Sequence, residues 1–456
     1  MIRLGNKQDI YYLLPLVAIS LFAYYQIAFY IQQTDFTQLI IYYSLVFFSF
    51  IALYIRFKEH HKLLLFLSIA FRVIFFFSIP ELSQDFYRYI WDGHLILNGF
   101  NPYLTSPDEL MQASQPPFAL AGELYPELTD LNAANQSNYP PMSQFFYWLA
   151  AMVSPVSIYG SMLFLKAVLF SADILVYKIT RPILEELQLP KHQVFLYLLN
   201  PLLIIEGIGN LHMEPLMAAF LLSGIYCWLK NKHLLSGFLI GLSILTKLLP
   251  LLLLPFFAIG KKRFDIYAFL SKAFLKVSSI ALLLVASGFL VFINTSNASE
   301  YVATISLWFN TFEFNASIYY LFRWLGFQLT GWNMIAYFGK GLTLVSLIIL
   351  VFLALKSTAS KNGQINALVL SLLIYFLLAT TIHPWYLIVP LSVAVLSRYW
   401  LPVLVWSFSI FFSYHTYEAS GFEENTYWLL AEYMLLAIAI VLSYQYPLLF
   451  LSKKKD

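Results

Sequence analysis

Residues able to do chemistry are concentrated in one stretch, 83–103, which reads SQDFYRYIWDGHLILNGFNPY. It opens the one long polar segment of an otherwise apolar chain. Asp85, Arg88 and Asp92 fall at i, i+3 and i+7, so a helix here places all three on one face. Carboxylates exchange protons, and a guanidinium pairs with a carboxylate or binds a phosphate. The stretch therefore indicates acid–base or anion-binding chemistry.

A short amphipathic helix is the element that must position these groups. Gly99 followed by Pro102 predicts its end, because glycine favours the position after a helix and proline cannot continue the turn. Apolar surface elsewhere around the helix comes from Phe86, Ile90, Leu95 and Leu97. This pattern is typical of a helix lying on a membrane surface.

The composition excludes an ordinary soluble domain. Of the 456 residues, 60% are hydrophobic, 18% aromatic and only 11% charged, whereas a soluble domain carries roughly 25% charged residues. We therefore predict an all-α polytopic membrane protein that contacts membrane lipids and no nucleic acid. The single cysteine, Cys227, excludes an intrachain disulfide.

About 20 apolar residues cross a bilayer as a helix, and on this measure we predict about 14 transmembrane or membrane-embedded helices in a single domain, 1–456. Two of them are short helices broken at Pro250. The others lie near 10–31, 39–56, 63–80, 158–178, 193–209, 216–229, 266–294, 334–355, 365–382, 386–397, 400–414 and 427–447.

The distribution of basic residues predicts the orientation. In 81–142 the only basic residue is Arg88, against eight acids, so by the positive-inside rule we assign 81–157, with its interfacial helices, to the extracytoplasmic side. The same rule places 295–333 outside as a second loop. We read the first apolar run as a retained helix, and we place both termini in the cytoplasm, including the lysine tail 453–455.

Further candidates lie at predicted membrane edges. The hairpin GNLHMEP, 209–215, carries His212 and Glu214 on the outer side. Glu206 precedes Asn210 by one helical turn, and we read it as capping or solvating the helix end.

Lys247 stands at the predicted break beside Pro250. An ionisable residue inside the membrane is a functional candidate by default, and we favour binding of a lipid phosphate over a side chain that snorkels to the interface. His383, in HPWYL, is the second phosphate candidate. Trp385 and Tyr386 suit an interfacial aromatic belt and are kept as candidate substrate contacts. For Arg72, Lys166 and Asp173, within spans, we expect buried pairing, with Lys166 and Asp173 aligned.

Several motifs together resemble the GT-C class of membrane glycosyltransferases, especially bacterial mannosyltransferase-like members that use polyprenyl-phosphate sugars. The resemblance covers about 63–390. It rests on a series in matching order: DFYRYIWDG with GFNPY, YPPMSQ, NPLLIIEGIGNLHMEP, LTKLLP and HPWYL.

The resemblance implies transfer of a hexose, mannose, from a polyprenyl-phosphate donor to a glycan or glycolipid acceptor outside the cytoplasm, with inversion. Asp85 aligns with the acid that acts as base on the acceptor hydroxyl, and Glu214 with a second acid. Candidates for the donor phosphate are Lys247, His383, Arg88 and Arg323. Candidate substrate contacts are Asp92, which we read as more structural, His212, Tyr103, Trp385 and Tyr386.

Whether a divalent cation assists stays open. Many members of the class carry two adjacent acids where this chain has Gln84 before Asp85. Two other function classes also stay open: a transporter or flippase of a sugar or lipid-linked substrate, and a non-catalytic assembly subunit. We find no internal repeat, which weakens the transporter reading.

Overall fold

The computed structural model describes residues 7–113, 115–293, 298–418 and 423–445. The predicted lysine tail, 453–455, and the first residues of the second predicted loop, 295–297, lie outside these ranges. Within them the chain is helical, with no β-strand and an isolated bridge between Phe314 and Thr381. The all-α prediction is confirmed.

Twenty α-helices follow one another along the described chain. The first ten are α1 Lys7–Phe29, α2 Phe36–Phe57, α3 His61–Phe76, α4 Asp85–Leu97, α5 Pro107–Met111, α6 Ala121–Leu124, α7 Asp130–Ala134, α8 Pro141–Val153, α9 Ile158–Glu186 and α10 Phe195–Leu198. The others are α11 Glu214–Leu229, α12 His233–Thr246, α13 Lys272–Leu290, α14 Ala298–Asn310, α15 Ile318–Thr330, α16 Ile335–Lys356, α17 Lys361–Leu378, α18 Ile388–Ala394, α19 Trp400–Ser409 and α20 Thr426–Gln445.

Tighter and wider helical turns fill several of the connections. A π-helix covers Leu203–Gly209. The 3₁₀ segments are Tyr125–Glu127, Lys191–Val194, Leu249–Phe257, Ile266–Leu270, Pro384–Leu387 and Ile410–Tyr417. The two predicted outer loops are thus largely helical, with α4 to α8 in the first and α14 and α15 in the second.

Membrane-spanning helices are confirmed as a class. By length and composition, six described helices can cross a bilayer: α1, α2, α13, α16, α17 and α20. The segments Lys191–Leu198 and Leu203–Gly209, bent by 59°, add a seventh if they form one broken span. Shorter apolar helices such as α11 and α12 lie below this length, so the predicted number of about fourteen stays a prediction.

The contacts divide the chain into two compact units, each built from separated segments. The first comprises Met1–Ser83, Lys166–Pro215 and Pro384–Asp456, and the second Gln84–Leu165 and Leu216–His383. In the first unit α1 packs against α2, and α19 against α20. There the Tyr43 ring of α2 stacks on Phe411 at a centroid distance of 3.5 Å.

Two buried cations of the first unit find partners other than those expected. Arg72 donates from Nε to Asp173 Oδ2 at 2.8 Å. Lys166 donates from Nζ to the carbonyls of Phe75 and Ser78, each at 2.6 Å. Buried pairing is therefore present, but the expected alignment of Lys166 with Asp173 was wrong, because α3 brings a guanidinium to Asp173 and the end of α3 offers carbonyls to Lys166.

In the second unit α4 packs against α8, α12 against α13, and α16 against α17. Small residues allow the close approach of α12 to α13. A Cβ on Gly237 would lie 2.6 Å from the Val277 carbonyl oxygen. The packed pair α4 and α8 supports Asp85, Arg88 and Asp92.

Candidate active site

The predicted helix over 83–103 is α4, and Asp85 is its first residue. Gln84 precedes it with non-helical dihedral angles, and the helix ends at Leu97 with Asn98 as its C-cap. Gly99 follows in the left-handed region, with φ of 80°, which is the conformation glycine adopts at least cost after a helix. The element and its predicted end are confirmed.

Asp85 lies in a partly enclosed position on the first turn of α4. Its Oδ1 accepts a hydrogen bond from Asn132 Nδ2 at 3.2 Å. Burial raises the pKa of the Asp85 carboxyl above its usual value, and this outweighs the opposing effects of the Asn132 hydrogen bond and of the charges on Lys247 and Arg88. A carboxylate with a raised pKa is a stronger base than an ordinary aspartate, which suits it to accept a proton.

Asp92 is the centre of a buried hydrogen-bond network. It is 0% exposed, and its Oδ1 accepts from Arg88 Nε at 2.7 Å. Its Oδ2 accepts from Ser137 Oγ at 2.5 Å and from Gln144 Nε2 at 2.9 Å. These contacts favour the structural reading of Asp92 over contact with substrate.

Arg88 connects α4 to α7 and to the segment that follows α7. Besides the ion pair with Asp92, its Nη1 donates to the main-chain carbonyls of Asn132 and Asn135. The side chain is 2% exposed, and among the described residues its Nη2 has no hydrogen-bond partner.

The helix α4 is buried more deeply than a helix lying on a surface. Its residues from Arg88 to Leu95 are all buried. On one side a Cβ on Gly93 would lie 2.1 Å from the Tyr147 carbonyl oxygen of α8. On another, the Trp91 ring lies 4.9 Å from Phe118, centroid to centroid. Protein therefore covers two sides of α4, and its position at the membrane surface stays a prediction.

Lys247 occupies the predicted interruption. It follows α12 with an extended backbone, φ −157° and ψ 141°, and its N–H donates to the Ser243 carbonyl at 3.2 Å. The next helix, Leu249–Phe257, begins just before Pro250. The predicted pair of short helices is confirmed. The Lys247 charge acts on both Asp85 and His383.

His383 is buried and neutral. Burial, with a smaller contribution from the Lys247 charge, lowers the pKa of His383 to about 3. Its ring stacks on Phe314 and Phe312 at centroid distances of 4.7 and 5.9 Å. At a phosphate it would therefore act as a hydrogen-bond donor rather than as a cation.

Two other candidates, Tyr103 and Arg323, bind neighbours other than Asp85 among the described residues. Tyr103 is 0% exposed, and its hydroxyl donates to the Tyr139 carbonyl at 2.5 Å, which favours a positioning role over contact with substrate. Arg323 forms an ion pair of 2.9 Å with Glu313, whose carboxylate also accepts from Tyr319.

The first unit holds a second buried acid, which the sequence analysis took for a capping residue. Glu206 is 0% exposed on the π-helix. Its carboxylate accepts from Tyr414 Oη at 2.7 Å and from Asn210 Nδ2 at 2.9 Å. The His212 Nε2 lies 3.6 Å from Glu206 Oε2. Glu206 is thus part of the His212 environment, because the π-turn directs it inward.

The other first-unit candidates surround this group. The His212 ring stacks on Trp385 at 3.8 Å between centroids, and the Trp385 ring lies 6.0 Å from Tyr386. Glu214 is 1% exposed at the start of α11. Trp385 and Tyr386 are each partly exposed. The structure brings His212 and Trp385 together in the first unit, and Asp85, Arg88, Asp92 and Lys247 in the second.

Within the described ranges, no three His, Cys, Asp or Glu side chains are grouped closely enough to hold a metal ion. Residues 131–139, which comprise most of α7 and the segment after it and are held by Arg88, were not predicted from the sequence. The amide and hydroxyl residues among them follow no periodic pattern, and they reach α4 across a separation of more than 40 residues in sequence. The run NAANQSNY was the available signal.

Comparison with known proteins gives a consistent picture. Alpha-(1->6)-mannopyranosyltransferase A of Mycobacterium tuberculosis is 24% identical over 345 residues, 70% of this chain and 62% of the relative. The protein of the same name from Corynebacterium glutamicum is 24% identical over 186 residues, 40% of this chain and 35% of that relative. This chain thus spans less than two thirds of the length of either relative.

A family model described as Alpha-(1->6)-mannopyranosyltransferase, N-terminal domain, matches residues 30–261, about half of the 456 residues. That range includes α4, residues 131–139, His212, Glu214 and Lys247. The chain therefore belongs to the alpha-(1->6)-mannopyranosyltransferase family, which confirms the resemblance to mannosyltransferase-like membrane glycosyltransferases found in its motifs.

Proposed function

We propose that this protein transfers a mannosyl residue from a polyprenyl-phosphate donor to a glycan or lipid-linked acceptor on the extracytoplasmic side of the membrane. One observation carries the proposal: in a chain of this family, the Asp85 carboxyl accepts a hydrogen bond from the Asn132 amide and has a raised pKa on which the Lys247 charge acts. The names of the relatives support mannosyl transfer. The scarcity of basic residues in 81–142 supports the extracytoplasmic side.

The reaction is a single displacement. The acceptor hydroxyl gives its proton to Asp85 as its oxygen attacks the anomeric carbon. The bond from that carbon to the phosphate oxygen breaks, the electron pair leaves with the polyprenyl phosphate, and the configuration inverts. A positioned base contributes about 10²- to 10⁴-fold in rate.

Lys247 is placed to stabilise the leaving phosphate. Negative charge grows on that group as the bond breaks, and fixed cations in a water-poor site stabilise it most effectively. The break between α12 and the following 3₁₀ helix interrupts the backbone, and such breaks at membrane depth line cavities or are buried in protein. A lipid-borne donor fits this position, with His383 donating one neutral hydrogen bond.

Glu214 is the second candidate for the base. It is buried at the start of α11, in the first unit, and its charge acts on Glu206. Asp85 is preferred because the structure shows an amide donor and a cation acting on its carboxyl.

The test is the formation of a glycosidic bond by the purified full chain in lipid nanodiscs. Radiolabelled polyprenyl-phosphate mannose and octyl α-D-mannopyranoside are supplied as donor and acceptor. The proposal predicts a labelled disaccharide glycoside. A transporter, flippase or assembly subunit makes no such bond, so recovery of all label in the donor and free mannose would reject the proposal.

A further inference from the structure

A groove of about 180 Å³ lies between α3 and α9, entirely within the first unit. Residues spaced three or four apart share one face of a helix, and the lining follows this spacing on both helices. The two walls are therefore single helix faces. They include Leu65, Ile69 and Arg72 on α3, and Phe170, Ile174 and Lys178 on α9.

The groove presents almost only carbon atoms to a ligand. Arg72 and Asp173 also line it, but both are buried and bind each other at 2.8 Å, so their charges are balanced within the protein. Exposed neighbours on the two helices, Phe66, Val73 and Leu175, are apolar as well. Apolar surface of this kind faces lipid. An empty apolar groove leaves its lining atoms without contacts, so a hydrocarbon chain is the favoured occupant in a bilayer.

The length of the groove matches one leaflet of a membrane. From Phe170 to Lys178 the wall on α9 measures about 12 Å, at about 1.5 Å for each residue. The hydrocarbon core of a bilayer is about 30 Å thick, so one leaflet contributes about 15 Å. The groove therefore suits part of a single chain whose head group lies at one end.

Basic side chains mark that end. Lys178 lines the groove and is exposed, and the Arg181 guanidinium lies one turn further on α9, 5.3 Å from the centre of the Tyr177 ring. The charges of Arg181 and Lys191 both act on His61, the first residue of α3. In the described part of the chain, neither Lys178 nor Arg181 forms an ion pair with a carboxylate. Both cations can therefore receive an anion.

We propose that this groove binds one acyl chain of an anionic phospholipid, whose phosphate lies at Lys178 and Arg181. The apolar walls match the chain and the two cations match the head group. Basic pockets between membrane helices on the cytoplasmic side bind anionic head groups, and the positive-inside rule predicts that this end of α9 faces the cytoplasm.

The bound lipid is distinct from the substrates of the proposed transfer. The donor phosphate is assigned to Lys247 in the second unit, whereas every residue of the groove belongs to the first unit. The proposed transfer also places its donor on the extracytoplasmic side. The groove thus binds a lipid of the surrounding membrane, and its assignment does not depend on mannosyl transfer.

Native mass spectrometry of the delipidated full chain in detergent, titrated with palmitoyl-oleoyl phosphatidylglycerol, tests the head-group contacts. Lys178→Met and Arg181→Met should each weaken binding of this lipid about 5-fold. Lys276→Met, an exposed lysine in the first turns of α13, is the matched control and should bind like wild type. A melting curve for each variant shows that it is folded.

The chain contact is tested on α3. Ile69→Trp fills the groove and should abolish the phosphatidylglycerol adduct, whereas Val73→Trp, 48% exposed and outside the lining, should keep it. In nanodiscs, phosphatidylglycerol with a diazirine in its acyl chain should label 65–72 and 170–178 most strongly. Ile69→Trp should remove this labelling.

Several results would overturn the proposal. Even labelling of α1, α2 and the groove, unchanged by Ile69→Trp, would reduce the groove to ordinary lipid contact. Equal affinity for phosphatidylcholine and phosphatidylglycerol, with no effect of Lys178→Met, would exclude head-group recognition. Displacement of phosphatidylglycerol by a lower concentration of polyprenyl phosphate would assign the groove to a polyprenyl chain. If the wild-type protein makes no glycosidic bond but the groove variants still lose phosphatidylglycerol, this inference stands and the transfer proposal falls.

Discussion

The charge on Lys247 tunes the acid–base behaviour of Asp85. Burial raises the pKa of Asp85, and Lys247 opposes that shift. If Asp85 is the base, as proposed, it must be ionised, so activity should rise with pH through this pKa and then level off. Lys247→Met removes the opposing cation and should move the acid limb of the kcat/KM profile to higher pH, with a higher donor KM.

The pH profile of transfer between about pH 4 and 9 measures this shift in wild type and in Lys247→Met. Lys232→Met, at the other end of α12, is the matched control and should leave the limb in place. An unchanged limb in Lys247→Met, together with unchanged donor KM, would remove Lys247 from the site.

Two neighbouring acids on α4 should have opposite effects on stability. The raised pKa of Asp85 means that its ionised form lowers folding stability at neutral pH. The stabilising protonated form is present at low pH and is lost as pH rises through the folded pKa. Asp85→Asn should therefore raise the melting temperature slightly.

Asp92→Asn should instead lower the melting temperature, because it leaves Arg88 buried without its counter-ion. Removing one partner of a buried pair costs about 3–5 kcal/mol. Thermal unfolding of the two variants in nanodiscs compares the effects directly, and a stable Asp92→Asn with lost activity would place Asp92 at the substrate.

At the scale of the elements, the close packing of α4 on α8 holds Asp85 and Asp92 in position. Gly93→Ala would put a Cβ 2.1 Å from the Tyr147 carbonyl oxygen, which is main chain and cannot rotate away. We expect a loss of about 1–3 kcal/mol in stability and a parallel loss of transfer. Gly122→Ala, where a Cβ meets nothing within 4 Å, is the control. Equal melting curves for both variants would contradict this packing.

Many of the helices and their boundaries could be predicted from the sequence. Apolar runs gave the long helices, the Gly99 signal gave the end of α4, and Pro250 with flanking lysines gave the break near Lys247. The pairing of Arg72 with Asp173 and that of Glu206 with Tyr414 could not be predicted. Tertiary packing decides both pairs, because their members lie 101 and 208 residues apart in sequence. Residues 131–139 show no periodicity from which their position beside α4 could be predicted.

Orientation is a property of the whole molecule, and the distribution of basic residues predicts it. A cysteine replacing exposed Gln115 should react with an impermeant maleimide in intact cells, and one replacing exposed Asn362 should react only after permeabilisation. A Cys227→Ser background removes the native thiol. Ser114, next to Gln115, lies outside the described residues. The reverse labelling pattern would place Asp85 in the cytoplasm and exclude the proposed side of the reaction.

The most direct test of the account is single-turnover mannosyl transfer by Asp85→Asn. Asparagine keeps the size of the side chain but cannot accept the proton, so transfer should fall about 10²- to 10⁴-fold while donor binding and folding persist. Asp108→Asn, in the same predicted outer segment, should transfer at the wild-type rate. Near wild-type transfer by folded Asp85→Asn would contradict the account and move the role of base to Glu214.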